Sequence, residues 1–110
     1  MTKVEVFKKD NHIYKVICDG HTMYGVAGED VVCAALSSVV QTAVLGLMAV
    51  AGVNVELDRD EERGFLSITI VEELSGTKLI QADAILDTML VGVSDLYTGF
   101  SDFINLEVKN

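Results

Sequence analysis

The sequence predicts an α+β domain, a mostly antiparallel sheet with two helices in the order ββαββαβ, and three observations carry that expectation. Residues 53–57, 66–70 and 103–108 alternate apolar and polar side chains, the period-two pattern of strands covered on one face. Residues 2–7 and 12–18 are rich in β-branched and aromatic side chains around a polar connection, as in a hairpin. Residues 31–55 carry no charge, and residues 77–97 place Leu79, Ala82, Leu86, Met89, Val93 and Leu96 at helical spacing, so two helices interrupt the strands. Helices laid over one face of the sheet satisfy this order.

Taken along the chain, the first hairpin turns at Lys8-Lys9-Asp10-Asn11, with His12 solvated at the turn and Cys18 a core residue of the second strand. That strand ends at Asp19-Gly20, which delivers His21 to the edge of the sheet. A loop with Gly25 and Gly28 follows, expected to be a mobile cover for a site. Asp30 is a good N-cap for the first helix. The small residues Ala34, Ala35, Ala43, Gly46 and Ala49 suit close approach to a sheet or to a second copy, and Gly52 supplies a stop. The uncharged stretch is long enough for a membrane span. Ser37, Ser38, Gln41 and Thr42 within it, and the lack of flanking Lys or Arg, favour a buried central helix instead. Residues 58–64 alternate carboxylates without the EF-hand spacing and read as a solvated hairpin tip rather than a calcium loop. Gly99 breaks the second helix.

One domain spanning residues 1–110 is expected, burying roughly 65 % of the surface that the unfolded chain exposes. Half of the residues are hydrophobic and Pro is absent, which leaves little room for disorder. The net charge of −9 and only eight Lys and Arg, scattered along the chain, argue against nucleic acid as a partner; a cationic partner is easier to accommodate. The start MTKVEVFKKD has no apolar signal core, so the expected location is cytoplasmic. There the two cysteines are thiols, and their spacing offers no metal site and calls for no cofactor.

With Asp30 capping, Cys33 falls in the first helical turn, where unpaired N–H groups and the helix dipole favour a thiolate. The Asp30 charge opposes that, so an imidazolium partner would help. His21, twelve residues upstream across the glycine-bearing loop, is the nearby candidate, and a Cys–His nucleophile pair is geometrically possible. Ser37, one turn beyond Cys33, lies on the same face. The residues alone leave the bland alternative open: a cysteine packed among Val31, Val32, Ala34, Ala35 and Leu36, and a serine bonded to its own helix.

The run Gly20-His21, then Gly28, Asp30, Val32-Cys33-Ala34-Ala35 and Ser37 resembles the signature of the ribosomal-processing cysteine proteases, the Prp family, and the length and order of elements fit from end to end. The resemblance implies His21 as general base and Cys33 as nucleophile. Gly20, Gly28, Asp30 and Ser37 match accessory or substrate-binding positions. Thr22 departs from the small alanine common after the histidine, which bears on loop packing and not on the pair. The implied activity is a cysteine endopeptidase that removes the N-terminal extension of large-subunit ribosomal protein twenty-seven after a pair of aromatics, with phage capsid or scaffold proteins cut in some settings. The implied partners are that ribosomal protein precursor and a second copy of the chain in a homodimer, with no nucleic acid and no membrane. A non-catalytic ribosome-associated module that only grips a peptide is the rival, and a small membrane protein a third reading.

Overall fold

The structure, a computed structural model, describes residues 2–20 and 29–110, and of Glu29 and Asp30 the backbone alone. Its elements are β1 (Thr2–Lys9), β2 (His12–Asp19), α1 (Glu29–Ala49), β3 (Val55–Asp60), β4 (Phe65–Ile70), α2 (Gly76–Gly99) and β5 (Ile104–Lys109). The order ββαββαβ is the one that the sequence predicts. The five strands form one sheet in the order β3-β4-β2-β1-β5. Three neighbouring pairs are antiparallel, and β1 and β5 are parallel. Because β4 lies between β2 and β3 and is antiparallel to both, α1 is a crossover between two parallel strands; α2 links β4 to β5 in the same way.

One apolar cluster joins the layers. Val4 and Val6 of β1, Val16 and Cys18 of β2, Leu66 and Ile68 of β4 and Ile104 of β5 meet Val32, Leu36, Val40 and Leu47 of α1 and Leu86, Met89 and Val93 of α2. The α1 stripe repeats every three to four residues, as a helix with one buried face requires. Strand β2 keeps Ile13 on the same face as Val16 and Cys18, which strict alternation forbids. The register explains it: Phe7 pairs with Lys15 and Lys8 with Ile13, so Tyr14 is an extra, bulged residue that resets the phase.

The first connection is tighter than the four polar residues suggest, with Asp10 and Asn11 at φ 52° and 67° forming the two-residue turn that matches strand twist. His12 is not merely solvated, since its Nδ1 lies 2.7 Å from Asp83 Oδ2 on α2. The cations are less scattered in space than in sequence, with Lys3, Lys8, Lys9, Lys15 and Lys109 all on β1, β2 and β5. Strand β3 runs on to Asp60, so much of the expected hairpin tip is strand.

Within α1, Val31–Ala49 has a mean hydropathy of 2.0 and is long and apolar enough by composition to cross a bilayer, but its stripe packs into the cluster described above. Small residues set the distance between the helices. A Cβ on Gly46 would sit 3.5 Å from Ile85 Cγ2, and one on Gly92 3.3 Å from Val39 Cγ1. Gly52, at φ 63°, ends α1 as expected, and the Val53 N–H turns back to the Leu47 carbonyl at 2.8 Å.

Candidate active site

Cys33 is the fifth residue of α1, because the helix begins at Glu29 and not after Asp30. Asp30 therefore lies in the first turn rather than at the cap, and Cys33 lies in the second, where its own amide is already part of the helical ladder. Helical side chains lean toward the N-terminus, so Sγ still reaches back over the opening turn, but the dipole acts on it less than on a first-turn thiol.

Two strand ends meet Cys33 there. Thr2, the first residue of β1, is 5 % exposed, and its Oγ1 lies 3.2 Å from Cys33 Sγ. The same hydroxyl donates to the Gly20 carbonyl at 3.0 Å. Gly20 follows β2 at φ 96°, a conformation that favours glycine, and its N–H donates to the Gly64 carbonyl at 3.2 Å. Thr2 in turn donates its N–H to the Phe103 carbonyl at 2.9 Å. One turn after Cys33, Ser37 Oγ accepts from Gln41 Nε2, one turn further along the same helix, at 2.6 Å. His21 and Gly28 lie outside the described residues.

Cys33, Ser37 and Gln41 line a cavity of about 320 Å³ with Cys18, Leu36 and Leu66 among its apolar walls and Arg59, Asp60, Glu61 and Phe65 from the β3–β4 hairpin on its far side. The hairpin is thus exposed, as expected, and is also a wall of the site. Arg59 pairs with Glu61 at 3.4 Å. Arg63 pairs with Asp19 at 2.8 Å and sets its guanidinium 4.7 Å from the centre of the Phe65 ring, a cation–π contact that holds the ring at the rim. Burial pushes the Cys18 thiol up to about 12, which keeps it a neutral wall residue. Among the described residues, no group of His, Cys, Asp and Glu is placed to hold a metal ion.

The architecture and the chain's relatives agree. The sequence profile of the family described as cysteine protease Prp matches residues 1–105. The chain belongs to the cysteine protease Prp family. The ribosomal processing cysteine protease Prp of Staphylococcus aureus is 29 % identical over 110 residues, covering 99 % of this chain and all of the relative. That of Bacillus subtilis is 28 % identical over 99 residues, covering 90 % and 87 %. Two crystal structures of the S. aureus protease superpose over 99 % of this chain and all of theirs. The one with a substrate peptide is 28 % identical with a TM-score of 0.87; the one with a covalently linked product peptide is 29 % identical with a TM-score of 0.84.

This Prp-family chain is a cysteine protease, and its described residues offer one thiol, Cys33, that is partly exposed and one, Cys18, that is buried. A nucleophilic thiol must reach a peptide carbonyl, which Cys33 satisfies by facing the cavity. Two contributors escape sequence reasoning. Thr2 reaches the site only through the register of β1 with its neighbours, and nothing in its local sequence separates it from any other strand threonine. Phe65 and the carboxylates beside it enter because the hairpin leans over the start of α1, although a run of alternating charges next to an aromatic was a visible, if unspecific, signal.

Proposed function

We propose that this chain is the endopeptidase that removes the N-terminal extension of large-subunit ribosomal protein twenty-seven, with Cys33 as nucleophile and His21 as general base. The observation that carries the reading is the placement of Cys33 Sγ on a cavity and, through Thr2 Oγ1, beside the Gly20 carbonyl, which is one peptide bond from His21. The Cys33 thiol gives its proton to His21 and its sulfur attacks the scissile carbonyl; His21 then protonates the leaving amine, and water releases the acyl group. A covalently linked product peptide in the S. aureus relative is compatible with such a thioester route. Ser37, Asp30, Gly20 and Gly28 serve as accessory groups, and Asp60 and Glu61 at the rim favour a substrate whose basic stretch follows the cleavage site.

The homodimer belongs to the same proposal. Leu45 and Met48 on α1, Val50 just after it, and Ile80 and Val91 on α2 are exposed apolar side chains, a surface that a second copy would cover, and light scattering at micromolar concentration should report twice the chain mass. The deciding experiment is digestion of a peptide with paired aromatics, a small residue and a basic stretch, followed by mass spectrometry. Wild-type protein cuts it once, Cys33→Ala binds without cutting, and His21→Ala loses most turnover because the pair acts as a unit. Binding without cleavage by wild type would leave the peptide-binding module, and a protein that stays in solution only with detergent would leave the membrane reading.

A further inference from the structure

The Thr2 hydroxyl has one proton and faces two acceptors, and the chemistry changes which acceptor is stronger. Its Oγ1 lies 3.0 Å from the Gly20 carbonyl oxygen and 3.2 Å from Cys33 Sγ. A carbonyl oxygen can only accept, so while Cys33 is a thiol the hydroxyl donates to Gly20 and offers its lone pairs to the S–H. A thiolate can only accept as well. Two acceptors then compete for one proton, and a charged acceptor forms the stronger bond. The geometry already permits the exchange, because both partners are within reach of the same oxygen and only the hydroxyl torsion need turn.

We propose that Thr2 is a positioning residue for the protease reaction, donating to the Gly20 carbonyl while Cys33 is protonated and to Sγ when the thiolate forms. The thiol proton leaves for the general base, while the Thr2 proton stays on its own oxygen and changes acceptor, so charge and atoms balance. The Gly20 carbonyl belongs to the peptide bond that joins Gly20 to His21, so the same rotation that steadies the nucleophile frees the carbonyl next to the base. Gly20 meanwhile keeps its N–H on the Gly64 carbonyl and does not swing away. The other ionisable groups around Cys33 are Cys18 of β2, held neutral by burial, Arg59 and Asp60 of β3 and Glu61 of the turn that follows, all on the cavity. Strand β4 contributes Phe65 and Leu66, neither of them ionisable. None of these donates a hydrogen bond to Sγ among the described residues, which leaves the Thr2 hydroxyl in that role.

The inference rests on Cys33 being the nucleophile, and the test separates the two. Iodoacetamide labelling of Cys33, read by mass spectrometry across pH, is measured for wild type, Thr2→Val, which keeps the shape and loses the hydroxyl, and Thr2→Ser, which keeps the hydroxyl and loses a methyl. In Thr2→Val, labelling at pH 7 is expected to slow roughly tenfold, with the rate–pH curve displaced by about one unit to higher pH, and peptide turnover to follow the same displacement. Thr2→Ser should restore the wild-type curve. A purely packing role reverses the order, with Thr2→Val like wild type and Thr2→Ser impaired, and that result overturns the proposal, as does a Thr2→Val curve that superposes on wild type in a protein whose circular dichroism is native. Peptide cleavage by Cys33→Ala would overturn the nucleophile assignment itself, whatever the Thr2 variants do.

Discussion

Cys18 and Cys33 border the same cavity in opposite circumstances. Cys18 points from β2 into the core at 7 % exposure, and desolvation alone raises its thiol from 9.0 to about 12. At pH 7 its thiolate is then about one part in 10⁵, so native protein should take up one iodoacetamide per chain, at Cys33, and the second only in denaturant; equal labelling of both thiols in the native state would refute this. The same shift makes stability depend on pH. The unfolded thiol ionises near pH 9 and the folded one near 12, so the unfolded state binds fewer protons between those values. Stability is whole below pH 9 and falls by about 1.4 kcal/mol per unit as pH rises through the window. Urea unfolding at pH 8 and pH 10.5 should show that loss in wild type and its absence in Cys18→Ala, whose separate cavity cost is the same at both pH values.

At the scale of elements, the two glycines between the helices are not equivalent. Ala in place of Gly in a helix gains up to about 1 kcal/mol. Gly46→Ala should realise most of it, since its Cβ meets Ile85 at an ordinary 3.5 Å. Gly92→Ala should gain little or nothing, because 3.3 Å from Val39 Cγ1 requires a stiff β-branched side chain to give way. Thermal melts should rank Gly46→Ala above Gly92→Ala; the reverse order would mean that the helix spacing is set elsewhere. These elements were legible because their signals are local: alternation in 66–70, the uncharged run after Asp30, the stripe from Leu79 to Leu96 and the stop at Gly52. The start of α1 was misplaced by a turn boundary, since a capping residue such as Asp30 is also acceptable inside a first turn. The bulge at Tyr14 was invisible because it shows only as a change of phase against β1. The Thr2–Cys33 contact was invisible for the same kind of reason, since it depends on strand order, which no single segment encodes. Cys33 and Ser37 share one face of the cavity as their four-residue spacing requires.

Across the whole molecule, charge is distributed along the sheet, from the β3–β4 edge to the β5 edge. The β3–β4 hairpin carries Asp58, Asp60, Glu61 and Glu62, of which Asp60 and Glu61 line the cavity, while most lysines lie on β1, β2 and β5. Exposed charges act chiefly on encounter and are screened beyond about 8 Å at physiological salt. Replacing Asp60 and Glu61 together by Lys should therefore raise KM severalfold for a peptide with a basic stretch and leave kcat nearly intact. The same variant should weaken the salt dependence of kcat/KM, and an unchanged KM would remove the hairpin from substrate capture.

The parallel pairing of β1 with β5 sets Thr2 opposite Ile104 and hangs the Thr2 N–H on the Phe103 carbonyl. The strand that touches the thiol is thus pinned by backbone translated just over a hundred residues later. On a nascent chain the β1–β2 hairpin and α1 can form early, but the neighbour of Cys33 lacks its anchor until residue 104 has emerged. Closing so distant a contact is also among the slower events of folding. A cysteine protease built this way is, by its strand order, kept from completing the surroundings of Cys33 until the strand that begins at residue 104 has been made.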